Sequence, residues 1–532
     1  MNSMLNNPLP AAPPPPQPSP GGESEARGAE PSKREKHSLE ISKSMSTTIT
    51  SAPPPQPSPG GRGSNREKQF IRTAIIGGGY AGMAAAATLA ANNIPVTVFE
   101  SARQLGGRAR GVWHNDTQLD NGQHILLGCY KHTLSLIELT GGSLEQDFQR
   151  LPLQLTLHNR FELKAPRLPA PLHLLFGFLF AKGLSYAARL RAARFMLAMR
   201  RNNFMLPSTA SGRGWVAAKQ RGTHRRTPCG WSEAGGEGGN DISALKLLQQ
   251  YKQDDDLIRL LWEPICISAL NTPLNKASAQ VLLTVLRDSL NGSRADSDML
   301  LPRVDFSALF PERAAKFVES RGGKVLLSCG VEAIQRHGSK FELLTTQGAQ
   351  IFDQVICAAS PSTASRLLGK LPELAEVARQ IEAIPYQPIY TVYLQYPSTV
   401  RLPHPMLGLD RCVSQWLFDR GQIAAQHGLI AVVISAEGIH QDLAHEQLAQ
   451  KVTQELREQL GIAEAPLWHK VIAEKRATFS CEVGLFRPSH LTPIPNLLLA
   501  GDFTEGDYPA TLEGAVRSGV RCANEIIRHG EE

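Results

Sequence analysis

The chain has 532 residues, a net charge of +7 and 42% hydrophobic residues, enough apolar side chain for a large core, which excludes wholesale disorder. Residues 1–70 carry eight Lys/Arg against six Asp/Glu and residues 206–240 five against two, so the rest is close to neutral and a basic nucleic-acid-binding body is excluded. No run reaches the roughly 18 apolar residues of a membrane span, no N-terminal stretch has a signal-peptide core, and the eight cysteines have neither a CxxC nor a zinc spacing, which predicts small buried hydrophobes in a reducing compartment and no metal site.

Residues 1–70 are low in complexity, with PPPQPSPGG at 14–22 and again at 53–61. Polyproline of this kind stays extended and solvated. A disordered leader is expected, acting as a polyproline ligand or lying upstream of the true start, for which Met45 is available. Ordered sequence begins near Ile71. Residues 73–76 (TAII) predict a short strand, followed by Gly77-Gly78-Gly79-Tyr80-Ala81-Gly82, an Ala-rich helix over 83–91 and a second strand over 95–100 (PVTVFE). Gly77 allows the tight turn. Gly79 lets a pyrophosphate approach the backbone at the helix N-terminus, and Gly82 lets the helix pack close to the sheet. Glu100, 18 residues after Gly82, stands where a carboxylate accepts hydrogen bonds from an adenosine ribose. Together these predict a Rossmann-type dinucleotide clamp.

Further along, residues 206–240 hold eight glycines and no helical or strand periodicity, which predicts a surface insertion in an otherwise continuous domain. Residues 323–327, 341–346 and 353–360 read as strands, as does the apolar run 496–502 (NLLLAGD). A helix then opens after Tyr508-Pro509 and runs to about residue 529. No second GxGxxG occurs in the chain, so reducing equivalents are expected from the substrate or an external donor rather than from a built-in NAD(P)H domain.

The run Gln104-Leu105-Gly106-Gly107-Arg108, just after Glu100, resembles the flavin-binding start of the amine oxidase and phytoene desaturase superfamily. The resemblance implies FAD, with Gly106, Gly107 and Arg108 beside its pyrophosphate and Val331 at the adenine through its backbone. It also implies Asp502, after Gly501, on the ribityl chain, and the helix start at Thr511 and Leu512 aimed at the isoalloxazine, where it stabilises negative charge. Four strings narrow the match: Leu119-Asp120-Asn121-Gly122-Gln123-His124; Leu261-Trp262-Glu263-Pro264-Ile265-Cys266 on to Pro273; Leu301-Pro302-Arg303-Val304-Asp305 with Leu309-Phe310-Pro311; and the tail from Ala500 to Ala515. Over residues 71–205 and 241–530 the chain resembles the hydroxysqualene dehydroxylases of bacterial hopanoid pathways; the leader and the insertion depart from that pattern.

By this resemblance the fold is α/β: a Rossmann-type FAD-binding domain (71–150, 311–384 and 481–532) with an interleaved α+β substrate domain (151–310 and 385–480), after a disordered leader (1–70). The implied reaction removes the hydroxyl of hydroxysqualene as water and delivers a hydride, giving squalene. A general acid is then needed, because hydroxide leaves poorly. Candidates are His124 and Asp120, in the turn that the superfamily places beside the flavin, and also Asp507, Tyr508, Glu513, Glu263 and Asp305. Each has a structural alternative as a cap, turn residue or ion-pair partner. His124 leads, because an ordinary histidine titrates near neutrality. The carotenoid desaturases, which run the flavin oxidatively, share the tail signature, and a non-catalytic flavin-binding interaction protein is the reading from another class. Nothing marks the aromatic pair of an amine site. The apolar run 172–180 (LHLLFGFLF), followed by Arg189, Arg191, Arg194, Arg200 and Arg201, is either a core helix or an interfacial one where an isoprenoid enters. The expected location is cytoplasmic, peripheral on the inner face of the membrane.

Overall fold

The two short runs flanking the first glycine turn, Thr73–Ile76 and Val96–Phe99, pair in parallel at the centre of a five-stranded sheet. In this computed structural model, residues 71–206 and 241–531 are described; the leader 1–70 and all of the insertion after Leu206 lie outside the described residues. The sheet order across space is Lys324–Leu326, Val96–Phe99, Thr73–Ile76, Gln354–Cys357 and Leu497–Leu499. Every pairing is parallel. The strand order reverses between Thr73–Ile76 and Gln354–Cys357, and such switch points open the crevice where α/β sheets bind ligands.

Side chains alternate across these strands. Ile75, Val98, Ile356 and Leu498 enter one core, shared with the helices Tyr80–Ala91, Pro311–Ser320 and Leu512–Glu531. Ala74, Ile76, Phe99, Val355, Cys357, Leu497 and Leu499 enter another, with the antiparallel sheet over residues 331–352 and the helix Pro361–Leu368. Burial on both faces is what a parallel sheet requires, and truncating one such residue to Ala costs about 2–5 kcal/mol. Gly519 lets the helix Leu512–Glu531 cross Tyr80–Ala91 closely: a Cβ there would lie 2.0 Å from the Ala81 carbonyl oxygen.

A second, seven-stranded sheet is mostly antiparallel. Its strand Tyr386–Gln395, second from one edge, lies between the edge strand Trp468–Phe479 and Leu429–Ser435. Tyr390, Val392 and Leu394 pack against the helix His445–Leu460, so Ile389, Thr391 and Tyr393 face the other way. Asn271, in a left-handed conformation after the helix Glu263–Leu270, fastens this sheet. Its amide donates to Pro388 O and Thr478 Oγ1 and accepts from Ala436 N at 3.2, 2.9 and 2.6 Å. The apolar run at 172–180 forms a helix, Leu172–Leu179, with His173, Leu174, Gly177 and Phe178 buried and Leu172 and Leu175 exposed. It is thus both a core helix and a surface one. Among the described residues no helix is long and apolar enough to cross a membrane.

Candidate functional site

Gly77 has φ +109°, and a Cβ there would lie 2.5 Å from the Ala358 carbonyl oxygen at the switch point; one on Gly82 would lie 2.0 Å from the Gly77 carbonyl oxygen. These two glycines are required by the protein's own packing. Gly79 is not: its nearest neighbour to a Cβ is Gly107 Cα, 3.9 Å away. The Gly77 and Gly106 segments are laced by the Gly106 N–H donating to Gly78 O at 3.0 Å. The helix Tyr80–Ala91 starts here with no side-chain cap and no acidic residue in its first turn. Open room over two glycines, at free backbone N–H groups and a positive helix end, suits a pyrophosphate.

Glu100 braces this loop. Its Oε2 accepts from Gly78 N and its Oε1 from Ala102 N, both at 2.7 Å. Oε1 also accepts from the Ser101 hydroxyl at 3.3 Å, whereas Oε2 keeps a second lone pair, which leaves capacity for a ribose hydroxyl. Val331 lies two residues beyond Cys329, whose N–H donates to Glu100 O at 2.8 Å, so it stands at the same end of the site.

The first and last motifs meet. Arg108 Nη2 pairs with Asp502 Oδ1 at 2.5 Å, and Nη1 donates to Ala477 O at 2.9 Å. Neither motif signals this pairing, since 394 residues separate the partners. Ser518 Oγ accepts from Gly501 N at 2.9 Å, and Thr511 Oγ1 accepts from Gly514 N at 3.1 Å, capping the last helix, on which Leu512 is the first residue.

Several acid candidates prove to be structural. Glu513 is fully buried and accepts from His132 and Thr133 at the start of the helix Lys131–Leu139, and from Arg517 Nε at 2.9 Å. Although burial opposes it, His132, Arg517 and Thr133 hold its carboxyl down to about 2. Asp305 caps the short helix Phe306–Leu309 and accepts from Gln118 Nε2 at 2.6 Å. Asp507 pairs with Arg287 at 3.2 Å on the surface, and the Arg517 guanidinium lies over the Tyr508 ring, 3.9 Å from its centroid. Glu263 sits half-buried in the first turn of its helix, and burial raises its carboxyl.

For Asp120 and His124, in the turn tied to the clamp, burial reverses the expected order of proton affinity. Burial pushes Asp120 up to about 7, opposed by Arg420 and by the Phe306 N–H that donates to Oδ1 at 3.0 Å. It therefore titrates near neutrality and carries its proton below it. Burial pushes His124 down to about 4, so the reason for preferring it as the acid does not hold. Its Nδ1 lies 2.9 Å from Gly122 O. A carbonyl only accepts, so Nδ1 carries the proton and Nε2 is an acceptor. The His124 ring packs on Phe306, with centroids 4.8 Å apart. Tyr80, first residue of the clamp helix, donates to Phe306 O at 2.9 Å. Tyr393 OH donates to Asp120 O at 3.0 Å and accepts from Asp120 N at 3.3 Å. Clamp, the Asp120 turn and the second sheet are thus one hydrogen-bonded unit. No pattern in the sequence marks Tyr393, on the second sheet, or Arg420, which opens the helix Arg420–Ala424 after one of its strands.

The profile of the flavin containing amine oxidoreductases matches residues 80–527. The chain is similar to the hydroxysqualene dehydroxylase of Sinorhizobium fredii, at 28% identity over 85% of this chain and 97% of that one. It is similar to that of Rhodopseudomonas palustris at 27%, over 86% and 98%. Among solved structures it resembles an oxidoreductase from Methanosarcina mazei (TM-score 0.64, 15% identity, 86% and 100% covered). It also resembles the cyclohexylamine oxidase of Brevibacterium oxydans (TM-score 0.60, 17% identity, 87% and 100% covered). FAD is the cofactor, and the protein is an FAD-dependent oxidoreductase; the room over Gly79 and Gly107 fits a pyrophosphate. The chain belongs to the family of flavin containing amine oxidoreductases.

Proposed function

We propose that the protein reductively dehydroxylates hydroxysqualene to squalene. The observation that carries this reading is Asp120, a buried carboxyl that keeps its proton near pH 7. Loss of a hydroxyl as water needs such a donor, whereas removing hydrogens from a polyene does not. Reduced FAD, when bound, supplies the hydride. Asp120 supplies the proton from its carboxyl, the C–O bond breaks, and water leaves. The Phe306 N–H and Arg420 steady the carboxylate that remains. Glu100, Gly79, Gly107, Arg108, Val331, Asp502 and the Thr511–Leu512 helix start hold the cofactor in this reading. Similarity to curated hydroxysqualene dehydroxylases over 97–99% of their length supports it.

The substrate is insoluble in water, and the surface helices agree with delivery from a bilayer. Leu172, Leu175, Phe180 and Tyr186 are exposed, the last two above 70%. Lys182, Arg194, Arg200 and Arg201 are exposed nearby in the chain. Apolar side chains flanked by cations suit an anionic membrane surface. A desaturase acting on carotenoids is the second reading, favoured by 21–23% identity to zeta-carotene desaturases. An anaerobic single turnover separates the two. With flavin reduced and hydroxysqualene added, squalene should form in step with flavin reoxidation; a flavin that stays reduced without squalene would remove the first reading.

A further inference from the structure

Thr391 is 1% exposed, and its hydroxyl has no hydrogen-bond partner among the described residues. Such a group is rare in a folded protein, because burial strips its water without replacement. The strand aims it at the Asp120–His124 turn: Thr391 shares a face of Tyr386–Gln395 with Tyr393, which holds the Asp120 backbone. A Cβ built on Gly122 would lie 3.9 Å from Thr391 Oγ1, 3.4 Å from His124 Cε1 and 3.9 Å from His124 Nδ1. Gly122 has no positive φ, so its backbone does not need glycine. The missing side chain instead leaves a space bounded by a hydroxyl and an imidazole.

We propose that this space over Gly122 seats the hydroxyl of the substrate, which accepts a hydrogen bond from Thr391 Oγ1 and donates one to His124 Nε2. The assignment rests on the proposed isoprenoid alcohol as substrate and names the groups that tell it from the hydrocarbon product. His124 is neutral, with Nδ1–H committed to Gly122 O, so its free nitrogen can accept. A site built around a substrate hydroxyl discriminates against the analogue lacking it, because the polar groups are then left unpaired. Thr391 and His124 are here specificity residues, and Asp120, in the same turn, holds the proton.

The test uses the full-length FAD-loaded protein in detergent, with hydroxysqualene and squalene as probes read by perturbation of the flavin spectrum and by turnover. The wild type should prefer the alcohol. Thr391→Val should raise KM for hydroxysqualene about tenfold, equal to about 1.4 kcal/mol, while leaving squalene affinity and the FAD content unchanged. Its melting temperature should hold or rise, since an unpaired hydroxyl is lost, and Thr391→Ser should restore the alcohol preference. Gly122→Ala places a methyl at ordinary contact distances, so it should fold, keep FAD and squalene, and lose the alcohol. Wild-type KM in both variants, equal losses for alcohol and hydrocarbon, or a wild type without preference for the alcohol would overturn the seat. A wild type that prefers hydroxysqualene but never converts it would instead sink the dehydroxylase reading and leave the seat standing.

Discussion

Asp120 is a carboxyl whose charge state depends on the fold, and that gives it two measurable signatures. Its folded pKa, about 7, lies above the ordinary 3.8, so the folded state holds the proton more tightly than the unfolded one. The stability this contributes is fully present below about pH 4 and is lost as pH rises through 7. Asp120→Asn removes the titration. Its melting temperature should therefore gain on the wild type between pH 5 and pH 8.5, and an offset that does not change with pH would contradict the buried, proton-holding carboxyl. Turnover should fall about 10²–10⁴-fold in the same variant, and in the wild type it should decline above pH 7. The strand–turn–helix–strand unit carrying Gly77, Gly79, Gly82 and Glu100 was legible from spacing alone, because a turn, a helix start and a strand end are local. The protonation of the Asp120–His124 turn was not. His124 carries the right side chain for a proton donor in water, but its burial, and the neutral state that follows, depends on Phe306 from 182 positions away in the sequence.

At the scale of elements, glycines do opposite jobs in one helix pair. Gly519→Ala would drive a methyl to 2.0 Å from the Ala81 carbonyl and push the C-terminal helix off Tyr80–Ala91. Gly79→Ala meets nothing nearer than 3.9 Å. The first should lower thermal stability in the apoprotein by about 1–3 kcal/mol, the usual cost of overpacking. The second should leave apoprotein stability within about 0.5 kcal/mol and weaken FAD binding at least tenfold. Equal stability losses would mean that Gly79 is also held by protein packing. Gly82 could be read from the motif; Gly519 could not, since nothing near it in sequence announces a crossing helix. Glu513 illustrates the reverse error. Its place in a family-like string made it a candidate acid, yet its five hydrogen bonds to His132, Thr133 and Arg517 make it the N-terminal brace of another helix.

For the molecule as a whole, two surfaces lie outside the clamp. The chain leaves the described residues at Leu206 and returns at Asp241, and Gln280 bonds both ends: it accepts from Leu206 N at 3.1 Å and donates to Asp241 Oδ1 from its own N at 3.2 Å. If residues 207–240 are an insertion, replacing them by a short Gly/Ser linker should preserve melting temperature and FAD content; loss of either would mean the segment is part of the domain. The exposed apolar residues of Leu172–Leu179 and its neighbour predict flotation with phosphatidylglycerol vesicles, weakened by replacing Leu175 and Phe180 with Glu. Recovery only in the bottom fraction would remove the bilayer from the proposal. All five strands of the parallel sheet were legible, the first two and the last in motifs and the other two as strand-like runs, but the order in which five separated segments line up is a property of their packing.

That order has a consequence for how the protein is made. About 220 residues separate Phe99 from Lys324, the next strand of its sheet, and the last strand begins only at Leu497. At roughly 5–20 residues per second, a ribosome delivers the nucleotide-binding turn some tens of seconds before the neighbours that close the sheet. During that interval the nascent chain carries unpaired strand edges, a hazard for association with other chains. On the proposed reading the cofactor cannot rescue it early, because Asp502 and the helix Leu512–Glu531 are made only after the fifth strand. Flavin capture then waits for those residues, and a chain cut short before residue 497 would leave the ribosome with its glycine turn made and its sheet open.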